Sequence, residues 1–500
     1  MPAEVRIEHF TQSWTRLWPL ALLALATIAV WPTVALVDDV SWLITVCERI
    51  LDGQKLYIDV IEANPPASVW IYLPAVALAQ VLAVAPEIVI NLQMLLLLIC
   101  SLWLSTNLLN YADLLKTQNL PILLAMAIGL LMLLPNGIFG QREHVLLLLL
   151  LPILSSLCLR ICGEKPDLLH ALMCGLMAGV AISIKAHYIF ALGFCVIAAV
   201  VLLRTWRIML SLKLWIMGLT FAAYILAVFW IAPQFLSEIL PILSLVYLPI
   251  RRPIDDLIFS VGIGTFCAAA LLTLICSRGH RLAPPVIILL CASLGSTLPF
   301  LIQGKNWPNH IFPMVRFSLI ALAFVATDTR IVQVWQRSLA LIGVLLMWQP
   351  TSNWLKDVTG ATELRQALQQ MQPHPKMLYI GHILRYAHPL VRQLHGTYVG
   401  RVCYQWITFG AEQRKAETDP DVVTLSKLDT LIEQDRQWLI ADLRQHTPDV
   451  VLVQIAGFDW SKWIAESPEL KSTLQGYKSR GIFNGVEIFQ KLSIAARLSE

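Results

Sequence analysis

Twelve runs of apolar residues, each close to the length of a membrane crossing, leave this chain few folds to choose from. Spanning a hydrocarbon core of about 30 Å takes about 20 apolar residues in a helix. Inside lipid, only helices and closed barrels satisfy their own backbone. The runs lie near 17–37, 67–85, 87–109, 120–135, 144–161, 169–183, 187–203, 214–232, 257–276, 285–302, 313–327 and 338–350. A helical membrane body is therefore expected. Only 14% of the residues are charged, against about 25% in soluble domains. The charge is uneven: 37 Asp, Glu, Lys and Arg fall in 1–350 and 33 in 351–500. The expected division is therefore a membrane body over 1–350 and a soluble domain over 351–500. A net charge of +4 gives no reason to expect a nucleic-acid partner. The run 17–37 has no small-residue cleavage site and reads as a first anchor.

Basic residues set the topology. Arg6 and Arg16, Arg160 and Lys165, Arg204, Arg207 and Lys213, Arg278 and Arg281, and Arg330 and Arg337 all ask for the cytoplasmic side. They are placed there together if one early run does not cross. The run 67–85 follows Pro65-Pro66, contains Pro74 and ends at Pro86, so it is read as lying at the outer interface. That leaves about eleven crossings, with 38–86, 136–143, the turn at Lys185, 233–256, 303–312 and the tail facing outward. The alternative is that 67–85 crosses and another run does not.

The tail alternates helical and strand patterns, which suggests a small α/β domain. Helices are expected over 361–371, 425–444 and 461–477, and strands at Met377–Ile380, Val450–Val453 and Val486–Gln490. The ten cysteines show no metal spacing. Cys47 and Cys403 both fall on the outward side, where a disulfide is possible and two free thiols are the simpler reading.

The chemistry-bearing residues gather in the outward segments. Asp38-Asp39 stands where an apolar run meets water. A carboxylate in a partly dehydrated cavity can take a proton from a hydroxyl nucleophile; the alternative is a solvated helix end. Gln141-Arg142-Glu143-His144 opens a run of seven apolar residues. Arg suits bidentate phosphate binding, and Glu143 can pair with it or serve an acceptor. A snorkelling Arg is the plainer reading. Lys185 and His187 interrupt two apolar runs, where a cation is functional, paired or snorkelling. Gln303-Gly304-Lys305-Asn306-Trp307-Pro308-Asn309-His310 combines a cation, an indole, an imidazole and amides, a composition that suits a saccharide and also an aromatic belt. Arg251-Arg252-Pro253 is read as a headgroup contact, with a phosphate contact as the alternative. No phosphate-cradling glycine loop, zinc motif or nucleophile elbow is present, which argues against ATP-driven transport.

Asp38-Asp39, the stretch Leu51-Asp52-Gly53-Gln54-Lys55-Leu56-Tyr57 and Asn64-Pro65-Pro66 resemble the GT-C superfamily of integral-membrane glycosyltransferases. The similarity is to the protein-mannosyltransferase and aminoarabinose-transferase branch, over about residues 15–235. The resemblance implies a catalytic acid at Asp38 or Asp39, with Arg142-Glu143 and Lys185 facing a lipid carrier. Asn64 replaces the family's Lys before the Pro pair, and Ala186-His187 follows Lys185 where the family has Gly.

The expected fold is thus mainly α: a polytopic GT-C-like body with a small extracytoplasmic α/β domain in the cytoplasmic (inner) membrane. The expected function is inverting transfer of a sugar from a polyprenyl-phosphate donor to an envelope acceptor on the outer face. Asp38, Asp39 and Glu143 are the catalytic candidates, and Arg142, Lys185 and Lys305 hold the donor phosphate. Asn64, His144, His187, Gln303, Trp307 and His310 contact substrate. Partners are the donor, a saccharide, lipid or protein acceptor, and membrane lipids. No cofactor is required by the sequence, and a divalent metal is left open. Two other classes stay in play. A flippase of lipid-linked saccharide would need charges at mid-membrane depth and internal repeats; a non-catalytic partner in polysaccharide assembly would dock through the tail.

Overall fold

The computed structural model describes residues 18–26, 28, 37–116, 118–133, 136–347, 361–417 and 420–492. About half of the run 17–37, the ends of the runs 120–135 and 338–350, and the expected boundary at 350 therefore lie outside or at the edge of the described residues.

The apolar runs form helices. Among the described residues six are long and apolar enough to cross a membrane: Pro86–Tyr111, Arg142–Ile161, Ala186–Leu203, Leu212–Ile231, Pro284–Gln303 and Pro308–Thr327. Shorter apolar helices cover Leu120–Leu133, Leu168–Ile184, Val261–Cys276 and Val334–Leu346. The chain is a multi-pass membrane protein. Two starts differ from the sequence reading. The helix expected from 313 begins at Pro308, so Asn309 and His310 sit in its first turn instead of in a loop. The run 257–276 divides at Ser260, whose hydroxyl caps the next helix by accepting from the Ile263 N–H at 3.3 Å.

The run 67–85 is two helices, Ala67–Trp70 and Leu73–Leu82, with Pro74 in the first turn of the second. Ten residues rise about 15 Å, half a hydrocarbon core. Leu78, Val81 and Leu82 are exposed, whereas Ala75, Val76 and Ala79 are buried.

The chain packs as two compact units. One holds Ile88–Leu226 and the stretch from Arg252 to the end of the body; the other holds Ala35–Glu87, Ala227–Arg251 and the tail from Asp357. In the first, Pro284–Gln303 packs on Pro308–Thr327 and on Ile189–Leu203, and Arg142–Ile161 packs on Leu168–Ile184. Gly175 and Gly179 let Leu168–Ile184 approach Leu212–Ile231 closely. A Cβ on Gly179 would lie 2.4 Å from Thr220 Cβ, and one on Gly175 would lie 2.6 Å from the Lys213 carbonyl.

The second unit carries a five-stranded sheet: β1 Lys376–Ile380, β2 Thr397–Tyr398, β3 Val450–Gln454, β4 Tyr477–Phe483 and β5 Val486–Lys491. The order is β2-β1-β3-β5-β4. β1 is parallel to both neighbours, with Leu378 opposite Val451, and β5 is antiparallel to β3 and β4. The central β3 is buried throughout, as a strand covered on both faces must be. Helices over Thr362–Met371, Trp406–Glu417 and Val422–His446 accompany it. The helix expected over 461–477 is instead Trp460–Ala465 and Pro468–Thr473, with Ser467 capping the second, because proline breaks a helix interior and suits its start. Trp406–Glu417, β2 and β4 were not expected from the sequence.

The tail is stitched to the first outward segment within this unit. Arg392 binds Glu48 at 2.7 Å and also Glu87. Arg49 donates to the Gly400 carbonyl at 2.6 Å, and the Ile61 N–H to the Arg401 carbonyl at 2.8 Å. Cys47 and Cys403 are buried free thiols.

Candidate active site

Three polar segments of the first unit converge on one carboxylate. Gln141 is extended and starts the helix Arg142–Ile161, so Arg142, Glu143 and His144 occupy its first turn, all buried. An acid there meets the unpaired N–H groups of the helix start. Glu143 Oε1 receives Lys185 Nζ, Asn309 Nδ2 at 2.7 Å and, farther off, His310 Nε2 at 3.9 Å. Lys185 ends the helix Leu168–Ile184 in extended conformation, before the turn Ala186–Tyr188. Its ammonium also donates to Gln303 Oε1 at 3.3 Å. Gln303 ends its helix, and Gly304, at φ +64°, turns the chain so that Trp307-Pro308 can open the next one. Glu143 is fully buried, and Lys185 is nearly so. A buried ion pair of this kind holds only when its charges are matched and hydrogen-bonded.

The remaining candidates of this unit divide. Trp307 is half-exposed and lies against His310, ring centroids 5.4 Å apart. His187 packs on Tyr188 at 5.2 Å. Lys305 is half-buried in the same loop. His144 is held by the backbone: Nδ1 accepts from the Gly140 N–H at 3.1 Å and Nε2 donates to the Leu131 carbonyl at 2.6 Å. Those partners make its imidazole neutral and leave neither nitrogen for a ligand. Two residues escaped the sequence reading. Asn309 was quoted in the loop but not chosen. Arg316, buried with its guanidinium 5.1 Å from the Phe312 ring centre, stands alone in an apolar run, which is itself the signal.

Asp38 and Asp39 belong to the second unit. They open the helix Asp38–Leu51, and Asp38 Oδ1 accepts from the Asp39 N–H at 3.0 Å. Burial, and then the adjacent Asp39 charge, push the Asp38 pKa up to about 6. That value suits a group taking a proton near neutral pH. A third carboxylate, Glu62, is buried in this unit and was passed over in the sequence. It accepts from Trp42 Nε1, from the Asn64 N–H at 2.8 Å and from Asn64 Nδ2. Tyr57, at φ +67°, donates its hydroxyl to the Asn64 carbonyl at 2.6 Å and packs on Phe235 at 5.4 Å. A tyrosine at positive φ is strained, and these contacts hold it there. Asn64 is thus fixed by Glu62 and Tyr57. Among the described residues no group of three or more His, Cys, Asp or Glu is placed to hold a metal ion.

No family model and no curated protein matches this sequence. Solved structures do. The crystal structure of ArnT from Cupriavidus metallidurans bound to undecaprenyl phosphate is 14% identical with a TM-score of 0.55, covering 95% of this chain and 98% of that one. Its apo state matches equally, with a TM-score of 0.55 and coverage of 96% and 98%. The cryo-EM structure of the arabinofuranosyltransferase AftD from Mycobacteria is 14% identical with a TM-score of 0.44, covering 96% of this chain and 40% of that one. The chain therefore has the fold of ArnT over nearly its whole length, in line with the GT-C resemblance of its first 235 residues.

Proposed function

We propose that this protein is a GT-C-type glycosyltransferase that takes a sugar from a polyprenyl-phosphate donor and passes it to an acceptor hydroxyl at the outer face of the inner membrane. The observation that carries the reading is the end-to-end fold match to a protein crystallised with undecaprenyl phosphate. The buried cluster of Lys185, Glu143, Asn309 and Gln303 supports it, since a carrier phosphate needs a cation protected from water.

In this reading Lys185 and Arg142, with Lys305, stabilise the departing phosphate. Lys185 already carries a carboxylate partner, so donor binding transfers its charge from Glu143 to the phosphate. Asp38 or Asp39 removes the acceptor proton while the hydroxyl attacks the anomeric carbon, giving inversion. The raised Asp38 pKa fits the base, and the neighbouring Asp39 sustains it. The short helix Leu73–Leu82 offers an apolar face beside which a prenyl chain can lie. The soluble domain assists acceptor binding. Mass analysis of envelope glycans and glycolipids from cells with and without the gene tests this. A missing glycosylated species, restored by the intact gene and not by Lys185→Ala, is expected; identical profiles overturn the reading.

A further inference from the structure

The acids of the second unit do not stand alone, because the tail reaches them at two places. The turn Leu384–Tyr386 packs on the helix Asp38–Leu51. Ile61 pairs with Val402 in a short parallel bridge, which sets Glu62 alongside Cys403-Tyr404. Trp42, one turn after the acid pair and bound to Glu62, lies edge-on to His388 at 5.2 Å and to Tyr398 at 5.9 Å. Segments 384–388 and 398–404 of the tail thus frame one group of carboxylates.

Each of the two places brings in a polar side chain that the fold does not use. Arg385 is exposed, and among the described residues its guanidinium has no ion pair or hydrogen bond. Four other arginines of the tail, Arg392, Arg401, Arg436 and Arg444, bind carboxylates. Tyr404 is half-buried, and its hydroxyl has no hydrogen bond among the described residues. Burial, and then the acidic groups Cys403, Tyr247, Asp39 and Glu62, raise its pKa well above the ordinary tyrosine value. The phenol therefore keeps its proton and can donate it in a hydrogen bond.

The charges around Asp38 are few. Burial and Asp39 push its pKa up, and Arg385 draws it down. The helices Ala67–Trp70 and Leu73–Leu82, packed on the same helix, carry no charged residue. His388, which burial keeps neutral, and Tyr398 meet that helix at Trp42. Glu62 is bound to Trp42, and Glu48 and Arg49 lie about 15 Å farther along the helix.

We infer that the tail is part of the acid site: Arg385 is a positioning residue that keeps the base ionised, and Tyr404 is a catalytic residue whose hydroxyl holds the acceptor through a second oxygen. The inference rests on the proposed transfer and adds to it two side chains of the soluble domain. The bonds made and broken stay the same. The acceptor O–H gives its proton to the carboxylate, and its oxygen bonds the anomeric carbon. The bond from that carbon to the phosphate oxygen breaks, and its electron pair leaves with the phosphate. Tyr404 keeps its own proton throughout.

Carboxyl labelling reads the role of Arg385 without any substrate. A water-soluble carbodiimide with glycine ethyl ester modifies protonated carboxyls, and peptide mass spectrometry of the purified full-length protein follows Asp38 across a pH series. The midpoint should lie near pH 6 in wild type and about half a unit or more higher in Arg385→Gln. Arg480→Gln, on β4 and bound to Gln490, should leave it in place. An unmoved midpoint in Arg385→Gln, or an Asp38 that resists the reagent at every pH, overturns the inference and leaves the proposed function standing. Complementation of cells lacking the gene reads the role of Tyr404. Tyr404→Phe should restore the glycosylated species at about a tenth of the wild-type initial rate, although the purified variant unfolds at the wild-type temperature, because its hydroxyl has no bond to lose. Restoration at the full rate overturns the role of Tyr404. A wild-type gene that restores nothing overturns the proposed function, and this inference with it.

Discussion

Removing the Lys185 ammonium tests the energetics of the buried cluster without any substrate. Lys185→Met keeps much of the side-chain volume and leaves the fully buried Glu143 with Asn309 at 2.7 Å and His310 at 3.9 Å. Breaking a buried pair from one side costs about 3–5 kcal/mol, because the other charge stays behind uncompensated. The Asn309 bond, a hydrogen bond to a charged group, retains about 1.5–3 kcal/mol, so the loss should fall near the lower end, about 3 kcal/mol. Glu143→Gln in the same chain removes the stranded charge and leaves an amide oxygen for Asn309. The double variant should therefore recover about 2 kcal/mol. The assay is equilibrium unfolding in mixed micelles of a mild and a denaturing detergent, run on wild type, both single variants and the double. Single-variant losses that add to within about 0.5 kcal/mol would mean that the two groups are independent, and the cluster as described would be wrong.

Other expectations follow from separate parts of the molecule. Transfer should need the ionised acid pair, so kcat/KM should fall as pH drops through about 6, the pKa to which burial lifts Asp38; a flat profile from pH 7 to 5 would exclude it as the base. Asp435 is buried, and burial lifts its pKa from 3.8 to about 6. The folded state then holds this proton more tightly than the unfolded state. Stability should rise as pH falls from 7 towards 4, by up to about 3 kcal/mol from this group, and Asp435→Asn should flatten that dependence in a pH series of unfolding curves. Gly179→Ala places a methyl against Thr220 Cβ and should cost about 1–3 kcal/mol by overpacking, an effect that Thr220→Gly in the same chain, which removes that Cβ, should relieve.

The membrane body was legible because hydrocarbon permits little else: each apolar run became a helix wherever the described residues cover it. The chemistry was legible where charge sits beside such runs, since a buried ion there needs a reason. That logic picked out Glu143 and Lys185, which then met. It overvalued His144, whose nitrogens serve the backbone, because sequence cannot distinguish a ligand from a strut. It missed Asn309, which looked like loop until the helix was seen to begin at Pro308. Glu62 was hidden because its partners, Trp42 and Asn64, sit twenty residues before it and two after it. In the tail, β1, β3 and β5 show apolar periodicity. β4 is an edge strand, exposed over most of its length and carrying Lys478 and Arg480, which is how natural sheets guard an edge and why its pattern does not read as a strand.

The central claim is that this body breaks a sugar–phosphate bond by using a carboxylate base. The measurement that meets it most directly follows undecaprenyl-phosphate sugar turning into undecaprenyl phosphate on the purified protein in vesicles with an envelope extract as acceptor. Wild type is compared with Asp38→Asn, Asp39→Asn and the double variant. The account predicts acceptor-dependent release by wild type and a loss of about 10²-fold or more in the double variant. Donor that stays intact with wild type, or release that persists undiminished in the double variant, would contradict it.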